Sequence, residues 1–123
     1  MELSLDRPED FLFVRRADAH AVTVMDREFT ASFILARDRA IEDWSVRDIA
    51  TLAPQHVEPI LALKPDVVLL GSGARQQFPS QAVIAEFLKR GVGVEVMDNA
   101  ACARTWNVLA GEHRNVVAAF ILS

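Results

Sequence analysis

Hydrophobic and polar positions divide the chain into two textures. From Phe11 to about Trp44, short apolar runs alternate with turn-forming residues. Phe11-Leu12-Phe13-Val14 follows the breaker Pro8, and His20-Ala21-Val22-Thr23-Val24 follows a turn at Asp18. Met25-Asp26-Arg27-Glu28 reads as a polar turn. Phe29, Ala31, Phe33 and Leu35 then recur at period two, which predicts one strand from Phe29 to Leu35. Ala40 to Trp44 adds a short strand. Together these segments predict an antiparallel meander with one packed face and one wet face.

A helical passage follows. Ser45-Val46-Arg47-Asp48 has the [ST]-x-x-[DE] form of a capping box and predicts a short helical turn to Leu52. Pro54 suits the start of a second helix through Leu63, with Val57, Ile60, Leu61 and Leu63 as its apolar stripe. Pro59 lies inside that span, so this helix must be short, kinked or broken. Pro65 ends it.

The second half reads β, α, β, α, β. Asp66-Val67-Val68-Leu69-Leu70 is an unbroken apolar run, as expected of a strand covered on both faces. Ser80 can cap a helix to Arg90, with Val83, Ile84, Phe87 and Leu88 on one side and Gly91 as its stop. Val92 to Met97 is the next strand. Asp98 or Asn99 caps a helix to about Ala110, ended by Gly111, and Val116 to Leu122 is a final strand of either orientation. The alternation predicts an α/β fold: a single three-layer domain over residues 1–123, with a mixed central sheet, flanking helices and an added N-terminal antiparallel β layer.

Composition narrows the function classes. The chain has 123 residues and a formal net charge of −4. That size suits one domain able to bury a core without disulfides or metal. An acidic chain without a basic tract argues against general nucleic-acid binding. Cys102 is the one cysteine, which fits a reducing compartment. The N-terminus, from Met1 to Asp6, has neither a secretory nor a transit pattern, and no apolar run approaches a membrane span. The expectation is a soluble cytoplasmic protein. His20, His56 and His113 are widely separated, with no Cys or acidic cluster beside them, so no metal and no cofactor are expected.

Chemistry-bearing residues gather at two strand ends. Gly71-Ser72-Gly73 closes one apolar strand and Asp98-Asn99 closes the next, so parallel pairing would frame a crevice at the carboxyl edge of the sheet. Glycines there can turn backbone N–H groups toward an anion. Gln76 stands where the dinucleotide fingerprint needs its third glycine, and no Gly-Lys-Ser/Thr follows, so neither a Rossmann site nor a P-loop is indicated. Gln76 can orient a polar ligand or tie the loop back to the backbone. Phe78 reads as an apolar anchor at the helix entrance. Asp98 reads as an N-cap. Cys102 lies in the first turn of the last long helix, where a thiol can be activated, but its spacing with Trp106 and Leu109 favours a buried stripe. Arg104 and Asn107 share another face, where Arg104 can bind a carboxylate or phosphate or pair with Glu95, Asp98 or Glu112.

These residues carry a resemblance. Gly71-Ser72-Gly73 with Gln76, Phe78 and Pro79 resembles a G-[ST]-G-x-x-Q-x-F-P segment. Glu95-Val96-Met97-Asp98, Ala100-Ala101-Cys102, Arg104-Thr105-Trp106-Asn107 and Leu109 resemble E-x-M-x-[ST]-x-x-A-x-R-T-[YF]-N-x-L, continued by Glu112 and Arg114. Both belong to the Mth-type domain of unknown function, whose members include a mitochondrial complex I assembly factor and an adipogenesis-associated vertebrate protein. Asn99 replaces the usual Ser or Thr, and Trp106 the usual Tyr or Phe. The resemblance implies a small α/β fold with a mixed central sheet and an extra β layer, and no established enzyme activity.

The leading expectation is therefore a non-catalytic binding or assembly module with a protein partner. The alternative is a binding protein or enzyme for a small anionic or polar ligand. Its candidate crevice comprises Gly71, Ser72, Gly73, Gln76, Asp98, Cys102, Arg104 and Asn107. A redox role for Cys102 is a third reading. The sequence leaves catalytic residues and oligomeric state open.

Overall fold

The computed structural model describes residues 10–112 and 114–123. Pro8, the N-terminal residues and His113 lie outside the described residues. The architecture is mixed α/β, with a three-stranded antiparallel sheet and a five-stranded mixed sheet. The smaller sheet runs β1 (Val14–Ala17), β2 (Val22–Val24), β3 (Arg27–Phe29). The larger adds β4 (Phe33–Leu35), β5 (Ala40–Ile41), β6 (Val67–Gly71), β7 (Gly93–Met97) and β8 (Val116–Phe120), in the order β5-β4-β8-β6-β7. The final strand is parallel to β6 and antiparallel to β4. Helices α2 (Gln81–Lys89) and α3 (Asn99–Gly111) form the connections between β6, β7 and β8.

Strand alternation sorts the interior into two cores. Val67, Leu69, Val116, Ala118 and Phe120 face the side packed by α3 and the small sheet. Val68, Leu70, Val117, Ala119 and Ile121 face the other side, with Val83 and Phe87 of α2. Every residue of β6 and β8 is buried, as continuous apolar runs in a doubly covered sheet require.

The N-terminal meander departs from expectation in several places: the first strand begins only at Val14, the last residue of its apolar run, and ends at Ala17, and β5 is confined to Ala40–Ile41. The period-two run from Phe29 to Leu35 is two strands in different sheets, because Thr30–Ser32 crosses from β3 to β4. Phe29 and Phe33 remain stacked across the crossing, with ring centroids 4.2 Å apart. The preceding turn is tighter than the polar stretch suggests. It is confined to Met25 and Asp26, so Arg27 and Glu28 belong to β3. Buried Ser32 accepts the Leu122 N–H at 2.8 Å and so extends the pairing beside β8.

Asp48, rather than Ser45, caps the first helical turn (Ile49–Thr51), accepting the Ala50 N–H. Pro59 divides the next segment as expected. A 3₁₀ turn at Pro54–Val57 gives way to a single α turn, α1 (Glu58–Leu61). On α2, Ser80 caps and Val83 and Phe87 are buried, but Leu88 is exposed. Among the described residues, no helix is long and apolar enough to cross a membrane.

Candidate functional site

The loop after β6 folds back on β7. The Ser72 Oγ lies 2.7 Å from the Arg75 carbonyl and 3.1 Å from that of Met97, and accepts the Gln77 N–H. Gln76 Nε2 donates to the Val96 carbonyl at 2.8 Å, so its amide ties the loop to the edge strand. Gly73 has φ 108°, in the left-handed region that favours glycine. Phe78 is 68% exposed and anchors nothing, contrary to the sequence expectation.

Asn99, in the sequence a strand-end residue and an alternative cap to Asp98, is the buried hub beside this loop. Its Oδ1 accepts the Gly73 N–H at 3.1 Å, while its Nδ2 donates to Asp18 at 2.9 Å and to Ile121 at 3.0 Å. One fully buried amide thus joins the β6 loop, the β1–β2 turn and the chain beyond β8. Gly73 also accepts the Asn99 backbone N–H at 2.9 Å. The signal in the sequence is an amide residue directly after the capping Asp98. Its partners are far away in the chain, so spacing does not reveal them.

Gly71, Ser72, Gly73, Gln76 and Asp98 are brought to the shared carboxyl edge of β6 and β7, where hydrogen bonds join the loop to the start of α3. Asp98 caps α3 by accepting the Ala101 N–H at 2.7 Å. Cys102 is fully buried in the α3 core, where desolvation, helped by Asp98, pushes its thiol well above the usual range. That shift opposes thiolate formation and removes the support for a redox role. Asn107 is committed to β1, accepting the Val14 N–H and donating to the Val14 carbonyl, both at 2.9 Å. Arg104 is exposed.

Open space lies on another side of the same loop. A cleft of about 330 Å³ is walled by Ser72–Arg75, by the β1–β2 turn at Ala19-His20, by Arg47–Ile49 and by Ile121 and Ser123. It sits beyond the carboxyl ends of the parallel strands β6 and β8. Asn99 bonds three of the segments that frame it. Two side-chain carboxylates lie in or beside the cleft, and one oxygen of each accepts backbone N–H groups. Asp48 caps its turn, and Asp18 accepts the N–H groups of His20 and Ala21, which hold its carboxyl below the usual range.

A second surface feature is apolar. Phe13 and Met25 are both exposed, and the Met25 sulfur lies 3.3 Å from the Phe13 N–H. Phe11 adds a ring 6.2 Å from that of Phe13 and packs near Gly111 of α3, one turn beyond exposed Val108. Met25 has φ 54°, a conformation that costs a side-chain-bearing residue roughly 1 kcal/mol.

A profile of a family described as "Protein of unknown function (DUF498/DUF598)" matches residues 14–121. The chain belongs to this family. A relative called "13 kDa major membrane protein", from Francisella tularensis, is 31% identical over 90 residues, covering 72% of this chain and 73% of that protein. NADH dehydrogenase [ubiquinone] 1 alpha subcomplex assembly factor 3 of Danio rerio is 34% identical over 84 residues, 67% of this chain. The match spans 48% of that assembly factor, about half its length. Among solved structures, a Xanthomonas campestris protein is 46% identical with TM-score 0.84, covering 95% of this chain and 89% of that one. A Bordetella pertussis protein described as an Mth938-like domain is 26% identical with TM-score 0.79, covering 98% and 92%. These likenesses bear out the Mth-type resemblance, and DUF498 membership gives the fold a family without giving it an activity.

Proposed function

We propose that this DUF498 chain is a non-catalytic binding module that holds a protein partner through the apolar strip of Phe13 and Met25, flanked by Phe11 and Val108. The observation that carries the reading is Met25. An exposed methionine sits at a tight-turn position where Gly or Asn would be less strained. Strain kept at an exposed apolar side chain suggests use of that side chain. The assembly-factor name of the zebrafish relative supports the same class of role. We take residues 1–123 as one module, supported by a family match reaching from residue 14 to residue 121. A reducing cytoplasm suits its one buried cysteine. The test compares capture from native lysate by the parent chain and by Phe13→Ser/Met25→Asn. The reading expects reproducible partners that the double variant fails to retain, with both proteins folded. Identical recovery by the two proteins contradicts it.

The ligand alternative draws support from the cleft rather than from the full expected crevice. Ser72 and Gly73 line open space, whereas Cys102 and Asn107 are occupied by packing and by β1.

A further inference from the structure

We propose that the cleft beyond β6 and β8 binds a small oxyanion-bearing molecule, gripped by Arg47 and Arg75. Both arginines line the cleft and come from different segments, one before the Ile49 turn and one from the β6 loop. Neither makes an ion pair among the described residues, whose salt bridges join Arg27 to Glu42, Lys89 to Glu86 and Arg90 to Glu58. Both arginines are exposed to solvent, so a ligand entering the cleft can reach them. Guanidinium groups offer paired donors that match carboxylate and phosphate oxygens.

Neither Asp48 nor Asp18 forms an ion pair with these arginines among the described residues. Asp48 and Asp18 each direct an oxygen to backbone N–H groups of their own turns. His20 adds an exposed imidazole, whose Nδ1 lies 3.1 Å from the Ser123 hydroxyl. The walls are fixed from behind: Asn99 binds the backbone of Asp18, Gly73 and Ile121 in one buried set of hydrogen bonds. Such support lets a site meet its ligand with little reorganisation. A volume of about 330 Å³ suits a molecule of metabolite size, not a polymer. The site is separate from the Phe13–Met25 strip, so either proposal can fail alone.

The test is a titration of the isotope-labelled full chain at low salt, read by amide chemical shifts. Inorganic phosphate and succinate are used in separate arms. Saturable shifts confined to His20, Arg47–Ile49 and Gly73–Arg75 are expected with at least one probe. Phosphate alone would assign a phosphoryl ligand, succinate alone a carboxylate ligand, and both a general oxyanion site. Arg47→Gln and Arg75→Gln, each with an otherwise parental spectrum, should weaken binding about fivefold or more. Shifts that do not saturate, that spread equally to Arg39 and Arg104, or that survive both substitutions overturn the proposal.

Discussion

Gly71 and Asn99 are matched. A Cβ on residue 71 would overlap the Oδ1 of Asn99, the same atom that accepts the Gly73 N–H. The glycine gives the buried amide room, and the amide holds the loop. Gly71→Ala should cost about 1–3 kcal/mol through overpacking. Asn99→Ala should cost about 2–4 kcal/mol, because it leaves buried backbone groups unpaired. Once the Asn99 side chain is gone the clash disappears, so the double variant should be less destabilised than the sum. Urea unfolding of all four proteins measures this coupling, and strict additivity would contradict it.

Asn107 acts on β1 as a neighbouring strand would, exchanging two hydrogen bonds with Val14. Trp106, one residue earlier, donates its indole N–H to the Leu12 carbonyl at 2.7 Å. The extended N-terminal segment is thereby held to α3. Asn107→Asp retains an acceptor but loses the donor and should cost about 2 kcal/mol. Hydrogen exchange at the Val14 amide should accelerate about tenfold or more in Asn107→Ala, with β6 amides much less affected.

Cys102 makes stability depend on alkaline pH. Its folded thiol titrates above the unfolded value near 9.0, chiefly through burial. Below that value both states are protonated and its contribution is complete. Above it the unfolded chain binds fewer protons, so stability falls as pH rises. The slope should approach about 1.4 kcal/mol per pH unit above pH 9. Cys102→Ala should lose this component of the slope. In the native protein at neutral pH, the thiol should react with a disulfide reagent only on unfolding.

The layers were legible where the pattern had one cause. Val67 to Leu70 reads as a covered strand because both of its faces are packed. Phe29 to Leu35 misleads because Phe29 and Phe33 keep stacking through a change of sheet, and alternation does not encode sheet membership. Asp98 was recognisable because capping is local. Asn99 and Asn107 were not, because their principal partners are set by the folded topology: Gly73, Asp18 and Ile121 for one, Val14 for the other. The shared edge of the Gly71 and Asp98 loops is legible because β6 and β7 are parallel neighbours. The cleft beside it is not legible in the sequence, because Arg47, Arg75 and His20 are far apart in the chain and line one cleft only in the fold.

Met25 offers the clearest separation of stability from use. Met25→Asn removes the exposed apolar side chain but suits the same left-handed turn, so stability should stay within about 1 kcal/mol. Loss of stability much beyond this would make the methionine a structural residue.

The most direct measurement is site-specific photo-crosslinking in native lysate, with the probe at position 13 in one protein and at position 88 in another. Both positions are exposed and apolar, but position 88 lies on α2, away from the proposed strip. The binding-module account predicts a reproducible crosslinked partner from position 13, absent from position 88 and lost when Met25→Asn is added. The same crosslinks from both positions, or none from position 13, would contradict it.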